Sequence, residues 1–266
     1  DGEFYVFDVV GLGSLNKYFQ DNCMANATWG RTYNIAADID AEGFTWQGVY
    51  MITGDNTRNG IVIDGNNHTI SNITIQDYLL SGTADGADDG TTPGEFRNLT
   101  LTNAKVNGGW FTAPLWGNLT GDINFTNVHI LNSEITGTNN VGGIISSTGE
   151  GTDYYITFEN CSVENTKITA VGAAGQDPTG ASGFMGRAFG LTYITFKGSN
   201  QVVNNTITNE NGLVGGKVFA YTTWKDNGFA GTGVCDTFTN FDGVRIVETN
   251  DIEDARDITV GEDVTF

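Results

Sequence analysis

One short pattern recurs along the chain and constrains its fold more than any other feature. It reads Asn, apolar, any residue, apolar, any residue, then Asn or Asp. The copies are Asn72-Ile73-Thr74-Ile75-Gln76-Asp77, Asn98-Leu99-Thr100-Leu101-Thr102-Asn103, Asn127-Val128-His129-Ile130-Leu131-Asn132 and Asn160-Cys161-Ser162-Val163-Glu164-Asn165. In the last three a further apolar residue follows at Val106, Ile135 and Ile168, and an aromatic precedes the first Asn at Phe96, Phe125 and Phe158. A looser fifth copy runs from Ile194-Thr195-Phe196 to Ile207, with one extra residue. The steps are 26 (98−72), 29 (127−98), 33 (160−127) and, from Phe158 to Phe196, 38.

A second signature follows each strand copy, an apolar pair flanked by small residues. It appears as Pro114-Leu115-Trp116-Gly117, Gly143-Ile144-Ile145-Ser146, Gly183-Phe184-Met185-Gly186 and Gly212-Leu213-Val214-Gly215. Residues Ala173 to Gly180 read as an insertion in the longer third interval.

Apolar residues at period 2 point one face of a strand inward. A single unit buries too little, so units must stack, each adding short strands to sheets that run along a coil. Units of this length predict an all-β solenoid, a parallel β-helix. Asn at equivalent corners of successive turns predicts amide ladders, since Asn tolerates left-handed backbone. Cys161 stands where its neighbours have Ile, Leu or Val and reads as a small core residue.

A solenoid needs capped ends. The spacing of Leu12, Leu15, Tyr18, Phe19 and Asn22 or Cys23 predicts a helix over Gly11 to Ala25, covering the N-terminal end. The chain reads as one β-helix domain over 1–266, with an N-terminal cap at 1–31, coils over 32–247 and an acidic C-terminal tail or cap over 248–266. In that tail Ile258-Thr259-Val260 and Val264-Thr265-Phe266 are candidates for a last strand or a hairpin.

Composition narrows the partners. Twelve Lys and Arg face 32 Asp and Glu, a formal net charge of −20, and the basic residues are scattered singly. That balance argues against nucleic acid, whose phosphates must be neutralised. No apolar run approaches the roughly 20 residues of a membrane span. The three cysteines show no CxxC spacing, so neither a metal site nor a disulfide framework is indicated, and a Cys23–Cys235 bridge stays open. The sequence starts at Asp1 and shows no signal segment.

Asn34-Ile35-Ala36-Ala37-Asp38-Ile39-Asp40, Trp46, the run Ile63-Asp64-Gly65-Asn66-Asn67-His68-Thr69-Ile70-Ser71-Asn72-Ile73-Thr74-Ile75 and the small-flanked apolar pairs together resemble bacterial surface proteins with GLUG-type repeats, typical of gut Bacteroidetes. The resemblance covers about residues 4 to 216, and Gly212-Leu213-Val214-Gly215 matches the four-residue motif best. It implies a right-handed parallel β-helix of the pectin-lyase-like class and a role as an adhesin. It also implies an extracellular or cell-surface location, anchored through a segment outside this sequence.

Many β-helices cleave polysaccharides, and such cleavage needs recognisable catalytic groups. No Arg lies two residues before Pro93, Pro114 or Pro178, which leaves out a lyase-type Arg-x-Pro-x-x-Arg element. Asp122 and Asp153 fall at strand starts but do not align, because Asp122 matches Tyr155 in the 33-residue step. Asp64 with His68 suggests an acid–base pair, but Asp-Gly-Asn-Asn reads better as a turn in which Asp64 bonds local amides. His129 reads as a structural residue on a strand face. The Asn-x-Thr sequons arise from the strand pattern and are given no weight as glycosylation sites.

Two ligand sites remain as expectations. Asp85, Asp88 and Asp89 in a Gly-rich loop suit a calcium ion, although their spacing is not that of an EF-hand. Trp110, Phe111, Tyr154, Tyr155, Tyr221 and Trp224 lie outside the repeat cores, where aromatic faces stack on sugar rings. Several of them are expected to align along one side of the coil. The leading functional reading is a non-catalytic adhesin or glycan-binding module, whose partner is a host or dietary glycan or a surface protein and which needs no cofactor beyond calcium. The alternatives are a polysaccharide lyase or glycoside hydrolase, and a structural stalk.

Overall fold

A computed structural model describes residues 3–52, 58–85, 91–149, 154–172, 179–187, 192–211, 214–216, 245–246 and 258–260. They build a parallel β-helix: every strand pairing in it is parallel, and each strand pairs with its counterpart one turn away. Sheet A carries the long strands Val62–Ser71, Gly94–Thr102, Ile123–Leu131, Tyr154–Glu159 and Thr192–Lys197 in succession. Sheet B holds two limbs joined through the strand Thr74–Thr83, and sheet C is the short stack Phe111–Thr112, Asn140–Gly142, Thr179–Ser182 and Val214–Gly216. Within one turn the chain runs along sheet A, the first limb of B, sheet C, and the second limb of B.

The corners are asparagines. Asn67, Asn98, Asn127 and Asn160 have φ between 52° and 64°, and Gly198 takes the same place on the next turn at 63°. The second corner is Asn72, Asn103, Asn132, Asn165 and Asn204, with φ between 50° and 59°. Most side chains avoid this left-handed region, and Asn enters it at low cost. The extra residue of the fifth copy is accommodated here: Glu159 pairs with Lys197 but Ser162 pairs with Gln201.

The backbone pairing corrects the first copy of the repeat. His68 lies opposite Leu99 and Ile70 opposite Leu101, so Asn67 starts the counterpart of Asn98 and the step is 31 (99−68). The stretch beginning at Asn72 continues into sheet B, where Ile75 lies opposite Val106. Both corners are Asn followed by alternating apolar residues, so the pattern fits either one. The fourth apolar-pair motif is also displaced, for Val214 pairs with Thr179 in sheet C and does not stand over Met185. The other three motifs do stack, with Trp116 beside Ile145 and Ile145 beside Met185, all buried.

The core runs along the coil axis. Phe96, Phe125, Phe158 and Phe196 stack with ring centroids 5.9, 5.3 and 5.5 Å apart. Cys161 is fully buried, as expected of a core position, with its thiol against the Phe125 carbonyl oxygen at 3.2 Å and burial pushing its pKa up to about 12. A polar ladder lines the second corner: Ala104 N donates to Ser133 Oγ, Ser133 N to Thr166 Oγ1, and Thr166 N to Asn205 Oδ1.

The helix spans Val9–Asn22, two residues earlier at its start than its apolar spacing implies, because Asp8 caps it by accepting from Gly11 N at 2.8 Å. Leu12, Leu15 and Phe19 enter the core beside Tyr33 and Trp46. Phe4–Val6, just before it, is the first strand of sheet A. Toward the other end, Ile258–Val260 pairs parallel with Thr192–Lys197, as a strand of sheet A. Cys235 and residues 264–266 lie outside the described residues, and Cys23 is a free thiol.

Candidate binding corner

The connections from the second limb of sheet B back to sheet A differ in length. They comprise residues 52–61, 84–93, 121–122, 149–153 and 188–191. The two-residue link Gly121-Asp122 thus sits in sequence between two longer ones. Gly121 has φ 105°, and a Cβ there would stand 2.3 Å from Asp85 Oδ1, so this position needs glycine.

Two carboxylates line this corner on successive turns. Asp85 Oδ1 accepts from Asp122 N at 2.8 Å, and Asp122 Oδ1 accepts from Tyr155 N at 2.9 Å. Asp85 is only 3% exposed, and burial pushes its pKa up to about 7, with Asp122 adding to the rise and two backbone hydrogen bonds opposing it. Burial also raises Asp122, against the Tyr155 amide. Asp85 therefore faces the amide of the next turn. Asp88 and Asp89, its partners in the calcium expectation, lie outside the described residues, and among those described no three His, Cys, Asp or Glu side chains gather for a metal ion.

The expected aromatic set divides. Tyr155 is 53% exposed at this corner, on the outer side of its strand and opposite Tyr193 in register. Tyr154 shares the inward side with Ile156 and Phe158 and is 7% exposed. Trp110 is 46% exposed at another corner, between sheets B and C, next to the partly buried Phe111. Trp110 and Tyr155 therefore do not share one side of the coil. Tyr221 and Trp224 lie outside the described residues.

Asp64 and His68 do not pair with each other. Asp64 accepts from Asn66 N at 2.8 Å, the local turn bond its sequence implies, and from Arg97 Nε at 2.7 Å and Asn98 Nδ2 at 3.3 Å. Burial works against its ionisation, but these bonds hold its carboxyl below the usual range. His68 Nδ1 instead lies 3.2 Å from Asp38 Oδ1. His129 Nδ1 lies 2.8 Å from Ser162 Oγ on the next turn, and burial lowers its pKa, partly offset by Glu164. Sequence reasoning missed Arg97 and the Asp85–Asp122 contact. Their signal is separation by about one turn, 33 residues for Asp64 to Arg97 and 37 for Asp85 to Asp122.

Fold and corner together define a parallel β-helix with an exposed tyrosine at one corner. Compared with models of known protein families, the sequence matches none. It is 32% identical over 127 residues to Halomucin of Haloquadratum walsbyi, a stretch that is 44% of this chain and 1% of that protein. The chain thus spans about one hundredth of the length of this relative. Its fold is similar to that of a candidate immunoglobulin A1 protease from Bacteroides ovatus, with a TM-score of 0.54 and 13% identity over 99% of this chain and 84% of that one. No helix among the described residues is long and apolar enough to cross a membrane.

Proposed function

We propose that the protein is an extracellular, non-catalytic β-helix that binds a glycan or a surface protein at the corner over Gly121-Asp122. The observation that carries this reading is Tyr155, held exposed on a strand that pairs on both sides, at a corner whose carboxylates already serve backbone amides. A fixed aromatic face with a polar tip loses little freedom when it stacks on a partner. The likeness to a stretch of Halomucin and to a Bacteroides β-helix supports an extracellular setting, as does the resemblance to GLUG-repeat adhesins. Probing plant, host and bacterial glycans with and without calcium tests it. Reproducible binding, lost in Tyr155→Ala with the fold unchanged, is expected. Silence across glycans and surface proteins leaves a structural stalk.

A second reading rests on Asp85 and Asp122. Two carboxyls on adjacent turns, Asp85 raised to about 7 by burial and Asp122 also raised, match the need of a glycoside-cleaving site for an acid whose pKa is pushed up. Release of oligosaccharides from a polymer, abolished in Asp122→Asn, would replace the binding reading with this one.

A further inference from the structure

Tyr78 sits at the middle of the strand Thr74–Thr83, where the pairing with Thr45–Met51 shifts register between Gln47 and Val49; the shift against Trp116–Thr120 follows just after it, between Leu80 and Gly82. Both neighbours are bare at this level. A Cβ on Gly48 would lie 3.0 Å from Tyr78 Cε2, and a Cβ on Gly117 would lie 2.4 Å from Tyr78 Cδ1. Opposite edges of one ring thus face two strands that flank its own. Strands are spaced about 4.8 Å apart, so the ring must lie across its strand and roughly parallel to the sheet. The residue remains partly exposed.

Other groups gather around this ring. Tyr50, 48% exposed, stands two residues beyond Gly48 and pairs in register with Ser81. Ser81 Oγ accepts from Asn118 N at 2.8 Å. The side-chain oxygen of Asn118 is shielded from solvent and has no hydrogen-bond partner. Burial raises the Tyr78 phenol; Ser81 offsets part of the rise, and Asp77 and Tyr50 add to it.

We propose that Tyr78, laid flat between Gly48 and Gly117, and the exposed Tyr50 form a stacking platform for a pyranose ring, with their phenol hydroxyls as polar handles. This deepens the binding function proposed above and rests on it, while adding a subsite on the outer face of sheet B apart from Tyr155. The sugar is a neutral one, because a chain of net charge −20 repels uronic acids and sulfated glycans. An apolar ring face set against an aromatic, with hydroxyls reaching polar groups at its rim, is the chemistry this surface offers.

The test uses the intact chain and four neutral hexasaccharides, those of cellulose, xylan, starch and mannan, by saturation-transfer NMR and calorimetry. At least one should bind, and Tyr50→Ala and Tyr78→Leu should each weaken it tenfold or more. Tyr78→Phe should retain most of the affinity, because the ring is kept. Thermal unfolding of each variant separates lost contact from lost fold. If Tyr155→Ala abolishes binding while Tyr50→Ala and Tyr78→Leu leave it unchanged, the platform is overturned and the glycan-binding function stands. If Tyr78→Leu only destabilises the chain and Tyr50→Ala is neutral, the ring is packing over the register shift and the platform is overturned. If none of the four binds while another glycan does, the sugar class is wrong. If no glycan binds at all, the platform is overturned and only the surface-protein form of the binding function remains.

Discussion

Asn127 donates through Nδ2 to Oδ1 of Asn98, 3.0 Å away on the preceding turn, and Asn98 in turn donates to Asp64 Oδ1 at 3.3 Å. One column of side chains thus links three turns and ends on a carboxylate, which Arg97 neutralises from outside. Each amide in the column spends its donor on the turn before it, and its own backbone takes the left-handed corner. The same residue type therefore does two jobs, bending the chain and tying neighbouring turns together.

The corner geometry predicts an unusual order among substitutions. At Asn132, with φ 50°, Asn132→Gly should be nearly neutral, whereas Asn132→Ala should cost about 1–2 kcal/mol. Its side-chain bond to Thr102 is long, at 3.5 Å, so loss of that contact adds little. Urea unfolding of the two variants checks the order, and equal losses would mean the amide matters more than the backbone.

The phenylalanine stack should be the most costly part of the core to open. Phe125 lies between Phe96 and Phe158 and is fully buried. Phe125→Ala should lose about 3–5 kcal/mol, and Phe125→Leu clearly less, since the cavity it leaves is smaller. Calorimetric unfolding measures both.

Asp85 should make the chain less stable as pH rises. Its folded pKa is raised to about 7, so the folded state binds the proton more tightly than the unfolded chain, whose ordinary value is 3.8. The penalty is absent below about pH 4 and grows as the pH passes through 7. Asp85→Asn keeps an oxygen for the Asp122 amide and removes the charge. Stability at pH 8 should rise by a few kcal/mol at most, and the pH slope between 4 and 7 should flatten. Unfolding midpoints across pH 4 to 8 decide it.

Asp64 should behave in the opposite sense. Its carboxyl is held low, so its contribution is present above the ordinary carboxylate range and is lost as pH falls below it. Arg97→Ala removes the 2.7 Å bond from Nε and should cost about 1–3 kcal/mol at neutral pH, and less at a pH low enough to protonate Asp64 in the folded chain. Comparing the variant with the parent at both pH values isolates the pair.

Much of this architecture is legible before any coordinates. The alternation in Asn98–Asn103 and Asn127–Asn132 names the inward residues, and Leu99, Leu101, Val128 and Ile130 are buried accordingly. The recurrence of Phe96, Phe125 and Phe158 at one place in the repeat foretells their stack, and the 33-residue step sets Asp122 opposite Tyr155 rather than Asp153. Local chemistry carries these features, because period-2 patterning and left-handed Asn corners act within a few residues. The candidate corner is less legible. Tyr154 and Tyr155 look alike as a pair in the sequence, yet one packs inward and the other faces out.

What the sequence determined by itself is therefore the coil: a repeat that must stack, corners that must be Asn or Gly, and a core column of aromatic rings. The tertiary structure decided the rest. It chose Asn67 over Asn72 as the first-corner residue, because hydrogen bonds to the next turn distinguish two corners that a six-residue pattern cannot. It placed Asp85 under the amide of a residue 37 positions later and so buried a carboxylate that reads as a surface loop charge. It seated Tyr78 in a gap left by glycines on two other strands. Each of these outcomes depends on neighbours about a full turn away, and turns of unequal length put those neighbours beyond the reach of any local pattern.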